Sequence, residues 1–383
     1  MKKKLILVGA GETGKEALLK YGSDKVAYFC DNNRAEGDKF CGVPLIDLDR
    51  LGKIHQLYDV VITITKWQLL VDVRLQLERA SIPYKMYGKN YSICKPSMYR
   101  MSETLHIYSG GVADGIRADY CWSSAWYYFE YKANIMMHII ETAINKYSQE
   151  FKGRKIDFYL CLEDSPFVAD MMRREMGIAR IFSFSTVDLL SDRVIAFPDY
   201  RSFISDEQYP FGETPQKCKA ASNKPWSDRR AVWRGSRIKN HARHILYLLA
   251  HRHPECLAVH CTDEPEKASY VPVTEQTNHK YFIDVEGIAW TDRLKVLLQL
   301  GRPIFLVWRQ YKEWYFKHLR AWEHYIPVEP DLSDLIEKYK YMESHDELYN
   351  LIVKNTRQFS EQWLTTDAYL LCAKELIFKY GTY

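Results

Sequence analysis

Residues 5–8 form a short apolar run that ends on Gly9-Ala10-Gly11-Glu12-Thr13-Gly14. So short a run, stopped by glycines, predicts a buried strand and a turn, and residues 15–21 then take helical spacing. Further strands are predicted at 26–30, ending on Asp31, at 58–65, rich in β-branched residues, and at 82–87, with an amphipathic helix over 67–80. Strands alternating with helices imply a parallel sheet covered by helices. The periodicity lapses over 91–105, which carries Lys95-Pro96-Ser97, so a linker is expected there.

Beyond it the pattern resumes. A long helical stretch covers 122–149, and strands follow at 155–162, ending in Glu163-Asp164, and at 179–184. Residues 198–223 read as loop, with Pro198, Pro210, Gly212 and Pro215. A third series predicts strands at 230–233, 256–260, 280–285, 303–307 and 324–328, helices at 240–251, 291–300 and 310–319, and a mostly helical tail over 333–380. The expected fold class is α/β.

Composition narrows this only a little. A chain of 383 residues suggests two or three domains. With 47% hydrophobic and 27% charged residues the balance is that of a soluble globular protein. Aromatics reach 14%, which packing accounts for. Against 49 acidic side chains stand 53 basic ones, so nucleic acid is excluded as the main partner, while a local phosphate site stays open. The nine cysteines are scattered and form no C-x-x-C pair, which fits a reducing cytoplasm. The apolar run after Met1-Lys-Lys-Lys is shorter than the about 7–15 residues of a signal core. No stretch approaches the roughly 20 residues of a membrane span. The expected setting is the cytoplasm, and the basic tail helices leave a peripheral contact at the inner face of a membrane open.

Gly9-x-Gly11-x-x-Gly14 between a strand and a helix is the pattern of a phosphate-cradling turn, and Asp31, roughly 20 residues on, stands where an acid would meet a ribose hydroxyl. These four residues are the candidate front site, with a nucleotide as its ligand. Residues 9–15 nearly form a P-loop, but Glu16 replaces the hydroxyl residue that would hold magnesium, which rejects that reading. The α/β unit stops near residue 90, half of a dinucleotide fold, with no partner for hydride transfer in view. An NAD(P)-dependent oxidoreductase is therefore the alternative reading. The unit resembles the small Rossmann-like domains found ahead of sugar-modifying transferases.

Four motifs in the second half fit one task. The first is the strand end Glu163-Asp164-Ser165-Pro166, where a carboxylate can serve as general base toward a hydroxyl, or Asp164 can cap the next helix. The second is Trp233-Arg234-Gly235-Ser236, where arginine offers a fork for phosphate, glycine close approach and serine a hydroxyl. The third runs from Lys280-Tyr281 through Asp284, Glu286 and Gly287 to Ile288-Ala289-Trp290-Thr291-Asp292-Arg293. Here a helix starting near Thr291 and Arg293 together could hold a diphosphate. The fourth is Trp322-Glu323-His324-Tyr325-Ile326-Pro327-Val328 with Asp331-Leu332-Ser333 beyond it. His324 reads equally as catalytic or structural. His251, His253, Cys256, His260 and Cys261 lack paired metal-ligand spacing, so no metal site is expected.

In this order and spacing, over about residues 155–380, the motifs resemble glycosyltransferase family 90. That family contains protein O-glucosyltransferases, capsule xylosyltransferases and bacterial LpsA-type lipopolysaccharide glycosyltransferases. The resemblance implies a GT-B architecture, two Rossmann-like domains facing across a cleft, and inverting transfer with no metal or other cofactor. The implied divisions are a front module at 1–92, an acceptor-side domain at 93–225, a donor domain at 226–350, and a C-terminal helix at 351–383 packing back on the first GT-B domain. Carried over by position, Asp164 is the base and Arg234, Ser236 and Arg293 hold a UDP diphosphate. Gly235 and the turn Ile288, Ala289, Trp290, Thr291, Asp292 lie against the nucleotide. Trp290 and Asp292 depart from the small residues usual in that turn. The implied partners are a nucleotide sugar and a glycan of lipopolysaccharide or capsule type. A non-catalytic nucleotide-sugar-binding scaffold is the further alternative.

Overall fold

The structure, a computed structural model, describes residues 3–32, 34–64, 69, 73, 76–77, 79–87, 91–96, 104–109, 117–122, 127–201, 213–263 and 271–382. The chain divides into two compact units, Met1–Glu163 with Ile377–Tyr383, and Asp164–Leu376.

The first unit holds β1 (Lys4–Val8), α1 (Glu12–Tyr21), β2 (Val26–Cys30), β3 (Lys39–Phe40), β4 (Val43–Ile46), α2 (Leu48–Ile54), β5 (Tyr58–Ile62), β6 (Tyr84–Met86), β7 (Tyr91–Pro96), β8 (Thr104–Ser109), β9 (Arg117–Trp122), α3 (Tyr127–Lys146) and β10 (Ile156–Cys161). Its strands run in the order β3-β4-β2-β1-β5-β6-β7-β9-β8-β10. Parallel pairing of β1 with β2 and β5 makes the Rossmann-like front that the alternation predicts. Leu7, Phe29 and Val61 from these strands close a core against Ala17 and Leu18 of α1.

The expected linker is wrong where it can be seen. Residues 91–96 form β7, which pairs antiparallel with β6 and parallel with β9, with a register break between Ser92 and Lys95. Cross-strand pairing decides such a segment, and single-chain periodicity does not record it. Residues 97–103, and most of the helix predicted at 67–80, lie outside the described residues. The β3–β4 hairpin, α2 and the strands β8 and β9 escaped the pattern; the first turn of α2 is capped by Asp47 accepting from the Arg50 N–H at 2.7 Å.

The second unit holds α4 (Pro166–Glu175), β11 (Ile181–Ser183), β12 (Val194–Ala196), α5 (Pro215–Ser222), β13 (Asp228–Gly235), α6 (His241–Arg252), β14 (Leu257–Cys261), β15 (His279–Asp284), α7 (Arg293–Leu297), β16 (Ile304–Val307), β17 (Ile326–Val328), α8 (Leu335–Glu343), α9 (Asp346–Trp363) and α10 (Thr366–Tyr380), which continues into the first unit. Five strands form an all-parallel sheet in the order β14-β13-β15-β16-β17. Alternate residues feed two cores. Val232, Phe282, Ile304 and Leu306 pack on one face with α5, α7 and Tyr369. Ala231, Trp233, Tyr281, Ile283, Phe305 and Val307 pack on the other with α6 and α8. Burial on both faces is the normal state of a parallel sheet and explains why these strands are apolar runs.

Three expectations are corrected here. The loop predicted over 198–223 contains α5, because Pro215 stands in the first turn, where a missing N–H costs nothing, and Thr214 caps the Lys217 N–H at 3.1 Å. Residues 202–212 of that stretch lie outside the described residues. The helix expected at 291–300 is the shorter α7, and that at 310–319 is a 3₁₀ turn at Trp314–His318.

From β13 the chain moves to β14 on one side, and β15 then lies on the other. The gap beyond the carboxyl ends of β13 and β15 is thus a topological switch point, where open α/β sheets take ligands.

Candidate active site

At that switch point β13 ends in Arg234-Gly235-Ser236 and β15 in Asp284-Val285-Glu286. Trp233 is 1% exposed and lies beneath Gly235. A Cβ added at Gly235 would stand 2.8 Å from Trp233 Cζ2 and 3.2 Å from Arg293 Nη2, so only glycine leaves this surface open. Two guanidiniums share the indole, Arg243 at 5.5 Å from a ring centroid and Arg293 at 5.7 Å, within cation–π range. Arg243 is buried and donates to the carbonyls of Ser236 at 3.2 Å and Val285 at 3.1 Å. Burial, and then the nearby Arg293, pull its pKa down to about 10. Burial also lowers Arg293, whose guanidinium makes no hydrogen bond or ion pair among the described residues. Arg234 is lowered by burial too, and faces His260 of β14 across the sheet.

The segment after β15 is pinned from below. Asp284, fully buried, pairs closely with Arg309 at the end of β16, and Glu286 accepts the Tyr311 N–H at 2.8 Å. Burial raises the Glu286 carboxyl. Above this, Ile288 is 71% exposed, while Ala289, Trp290, Thr291 and Asp292 are half-buried. Thr291 Oγ1 accepts the Arg293 N–H at 3.2 Å, but Asp292 holds the position before the helix, so α7 begins at Arg293 and not at Thr291. Asp292 pairs with Arg201 Nε at 2.8 Å. Its carboxyl is pushed up to about 6, by burial first and by Asp199 and Asp164, against the pull of Lys295 and Arg201.

Lys295, fully buried on α7, donates to Asp199 at 2.5 Å and to the Arg201 carbonyl at 3.2 Å. It also lies 3.5 Å from Glu313 and 5.0 Å from the Trp290 ring centroid. Burial raises Glu313 to about 7, and the same carboxylate accepts the Tyr315 hydroxyl at 2.7 Å. Asp199 and Glu313 hold the Lys295 ammonium well above its ordinary range in spite of burial.

Asp164 is exposed, and its charge reaches Asp292. Ser165, not Asp164, occupies the position before α4, and the Ser165 side chain makes no capping bond. Glu163 and Asp164 are not part of the strand. The strand ends at Cys161, and the pair lies in a bend beyond it. The structure therefore gathers Gly235, Ser236 and Arg293 around Trp233 and Arg243, and Asp164 acts on Asp292 through its charge.

His324 has a structural place. Its Nδ1 accepts the Arg320 N–H at 3.0 Å, its carbonyl accepts the Thr356 hydroxyl at 3.0 Å, and its ring packs on Phe359. Asp334 accepts the Glu329 N–H at 3.1 Å, and Asp331 accepts from Ser333, so the fourth motif is a loop, the strand β17 and a helix start.

In the first unit the glycine loop follows β1 at a second switch point, between β1 and β5. A Cβ at Gly14 would collide with the Gly9 carbonyl, so glycine is what lets α1 approach the strand. The loop's polar groups bond to one another. Asp31 accepts the Ala10 N–H at 3.0 Å, Arg34 donates to the Ala10 carbonyl at 3.2 Å, and the Thr63 hydroxyl donates to the Gly9 carbonyl at 2.8 Å. Gly11 is open, with nothing within 4 Å of a built Cβ.

Sequence reading missed Arg243, Arg201, Arg309 and Lys295 as parts of this site. Arg243 carried a signal, since it shares the buried stripe of α6 with Leu246 and Ala250 at helical spacing. Arg201 carried none, for its partners are distant in sequence.

The family model for Glycosyl transferase family 90 matches residues 125–383. Protein O-glucosyltransferase 1 of Homo sapiens is similar at 22% identity over 351 residues, 83% of this chain and 87% of that protein. The Rattus norvegicus protein of the same name is 28% identical over 178 residues, 43% of this chain and 45% of that one. The O-glucosyltransferase LpsA of Dichelobacter nodosus is 26% identical over 154 residues, 39% of this chain and 48% of that one. In the rat and bacterial alignments the chain spans about half the length of the relative it matches.

Proposed function

Because the chain belongs to glycosyltransferase family 90, we propose that it moves a sugar from a UDP-sugar to a hydroxyl of a glycan acceptor by an inverting, metal-independent single displacement. One observation carries the reading. At a single switch point, a glycine over an indole stands beside two guanidiniums, neither of which forms an ion pair among the described residues, and the charge of a carboxylate in the bend after another strand acts on the same turn. Asp164 takes the acceptor proton. The acceptor oxygen attacks the anomeric carbon as the bond to the β-phosphate oxygen breaks and UDP departs. Arg293, Arg234 and the Ser236 hydroxyl meet the charge that grows on the leaving diphosphate, and each charge-assisted hydrogen bond is worth about 1.5–3 kcal/mol. Ile288, Ala289, Trp290, Thr291 and Asp292 line the nucleotide side. Trp290 and Asp292 set the donor sugar. The GT-B arrangement goes with the family.

The similarity to an O-glucosyltransferase named LpsA favours a bacterial surface glycan of lipopolysaccharide or capsule type as acceptor. The reaction then belongs in the cytoplasm, at the inner membrane face for a lipid-linked acceptor. Among the described residues no helix is long and apolar enough to cross a membrane. A hydride-transfer reading of the front loop has less support, since Asp31 already bonds the loop it would serve. The front module's ligand, if a nucleotide, contacts Gly9, Gly11, Gly14 and Asp31.

Release of UDP from UDP-glucose, UDP-xylose, UDP-galactose and UDP-glucuronate, with and without glycan acceptors, tests the reading. Asp164→Asn is expected to lower transfer by ~10²–10⁴-fold, the usual worth of a general base, while UDP still binds. Transfer at the wild-type rate by that variant would remove Asp164 from the mechanism.

A further inference from the structure

We infer that the turn before β17 and the outer face of α8 form a second carbohydrate site, which takes a neutral pyranose of a glycan chain at the edge of the sheet opposite the proposed donor site. The first sign is a backbone outlier. Trp322 has a φ of 63°, in the left-handed region that a residue with a bulky side chain enters only under constraint. The constraint comes from the turn and from α9. The Trp322 N–H donates to the Tyr325 carbonyl at 2.7 Å, and the His324 N–H to the Arg320 carbonyl at 2.9 Å. Asn355 and Thr356 of α9 donate to the carbonyls of Glu323 and His324 at 3.2 and 3.0 Å. These bonds hold one turn in a strained shape, and what that shape fixes is the direction of the Trp322 indole.

The indole borders an open cavity of about 400 Å³, lined by Trp322, Glu337, Lys338, Tyr341 and Leu348. That volume lies in the range of small-ligand sites. The Trp322 and Tyr341 rings meet edge to face, with centroids 6.0 Å apart and planes at 79°, so together they make a corner. Both stay open to solvent, at 38% and 45% exposure. His345 stacks on Tyr341 at 3.9 Å and steadies it. Around this apolar corner stand polar groups that are not used. The Trp322 indole N–H, the Tyr341 hydroxyl and the Glu337 carboxylate make no hydrogen bond or ion pair among the described residues. Lys338 differs, for its ammonium donates to the Pro327 carbonyl at 2.6 Å, pairs closely with Asp334 and lies 5.8 Å from the indole centroid.

Aromatic faces flanked by free donors and acceptors fit a sugar ring, whose C–H face packs on an aromatic while its hydroxyls both give and take hydrogen bonds. A purely apolar occupant would strip water from the carboxylate and the indole N–H and leave them without partners. The occupant is also neutral. Asp334 answers the charge of Lys338, so the open charge at the cavity is that of Glu337, and Asp346 and Glu347 begin the helix that carries Leu348. An acidic sugar or an anionic lipid surface meets repulsion there. β17 runs parallel to β16, β15 and β13, and the turn enters it at its amino end, whereas the proposed donor site lies beyond the carboxyl ends of β13 and β15. In the reaction proposed above, the second site holds a long acceptor by a segment remote from its reacting end, which raises the effective concentration of that end. That consequence rests on the donor reading, and the site itself does not.

Saturation-transfer NMR and calorimetry test the site with the methyl pyranosides of glucose, galactose, mannose and glucuronate, and with hexanol as an apolar probe. Wild type is expected to bind at least one neutral pyranoside with a Kd in the millimolar range, and the glucuronide ~5-fold or more weakly than that sugar. Tyr341→Ala and Glu337→Gln change exposed positions of α8 and keep the fold, with melting temperatures recorded for each. Each is expected to weaken the bound pyranoside ~3–10-fold, the worth of one hydrogen bond or ring contact, and Trp322→Ala roughly 10-fold or more. UDP affinity in Tyr341→Ala and Glu337→Gln is expected to stay within ~2-fold of wild type, because the two sites are separate. No neutral pyranoside bound in the millimolar range, a glucuronide or hexanol bound as tightly as the best neutral sugar, or unchanged sugar affinity in both α8 variants overturns the inference. Pyranoside and UDP affinities that fall together in those variants overturn it as well. A wild type that binds the pyranoside with the expected variant losses, and binds no UDP, overturns the donor reading alone.

Discussion

Gly235→Ala is a sharp probe of the site, because its effect is steric alone. Gly235 has no positive φ, so alanine suits its backbone, and any loss must come from contacts. The new Cβ would lie 2.8 Å from Trp233 Cζ2, 3.1 Å from Cη2 and 3.2 Å from Arg293 Nη2. The indole cannot yield easily, since Trp233 packs in the same core as Leu246, Tyr281 and Ile283. Overpacking of this kind costs about 1–3 kcal/mol. The end of Arg293 can move, but away from the diphosphate it is proposed to bind. Losing one charge-assisted hydrogen bond, about 1.5–3 kcal/mol, weakens UDP by ~10–100-fold. Urea unfolding gives the first number and UDP calorimetry the second. Gly287→Ala is the control, since its Cβ would meet Arg243 Nη2 at 3.6 Å and the Ala289 carbonyl at 3.7 Å, both ordinary contacts. A Gly235→Ala protein as stable as wild type and as tight for UDP, or a control that is the worse of the two, would refute the geometry.

Two further outcomes follow from buried charge. The folded pKa of Asp292, about 6, lies above its unfolded value, so this carboxyl favours folding while protonated and withdraws that support as pH rises through 6. The melting temperature of Asp292→Asn relative to wild type should therefore move in the variant's favour between roughly pH 5 and pH 7.5, and a constant or opposite difference in thermal melts counts against the assignment. Arg302, buried behind β15, donates to the carbonyls of Lys224, Thr277, His279 and Gly301 at 2.5, 2.9, 3.2 and 3.0 Å. Arg302→Met leaves them without a donor and should cost about 3–5 kcal/mol in urea unfolding; a loss under ~1 kcal/mol would mean that the carbonyls find other partners.

The parallel strands were legible because burial on both faces writes them as apolar runs, as in Val232-Trp233 and Phe305-Leu306-Val307. The segments that were misjudged are those settled by a partner elsewhere. Pro96 sits inside β7 because β9 pairs with it; Pro215 is different, since its helix is capped by the adjacent Thr214, a local signal that the loop-like composition around it masked. The same division runs through the site. Gly235, Ser236 and Arg293 were readable as a local sequence of chemistry. Arg201 was not, since the contact that gives it meaning is to Asp292, far along the chain. Arg243 lay between the two cases. Its position on an apolar stripe was visible, but a charge there reads as an error of phase until its two carbonyl partners are known.

Two buried ionic groups underlie the 284–293 segment, Asp284 with Arg309 and Lys295 with Asp199 and Glu313. Stability does not explain them. Apolar residues of similar volume in place of a buried ion pair are often neutral or stabilising by about 1–4 kcal/mol. What apolar residues cannot supply is direction. Lys295 bonds the Arg201 carbonyl while Asp199 accepts both Lys295 and the Arg201 N–H, so the backbone of Arg201 is fixed from two sides. Arg201 then fixes Asp292, whose carboxylate shares its surroundings with Asp164. Removing Lys295 would leave Asp199 and Glu313 as two buried carboxylates without a cation and, at the far end of the chain of bonds, an unanchored Asp292. The buried charges hold the half-buried Asp292 in place, and the stability they cost is offset by the position they give to the turn between Glu286 and Arg293.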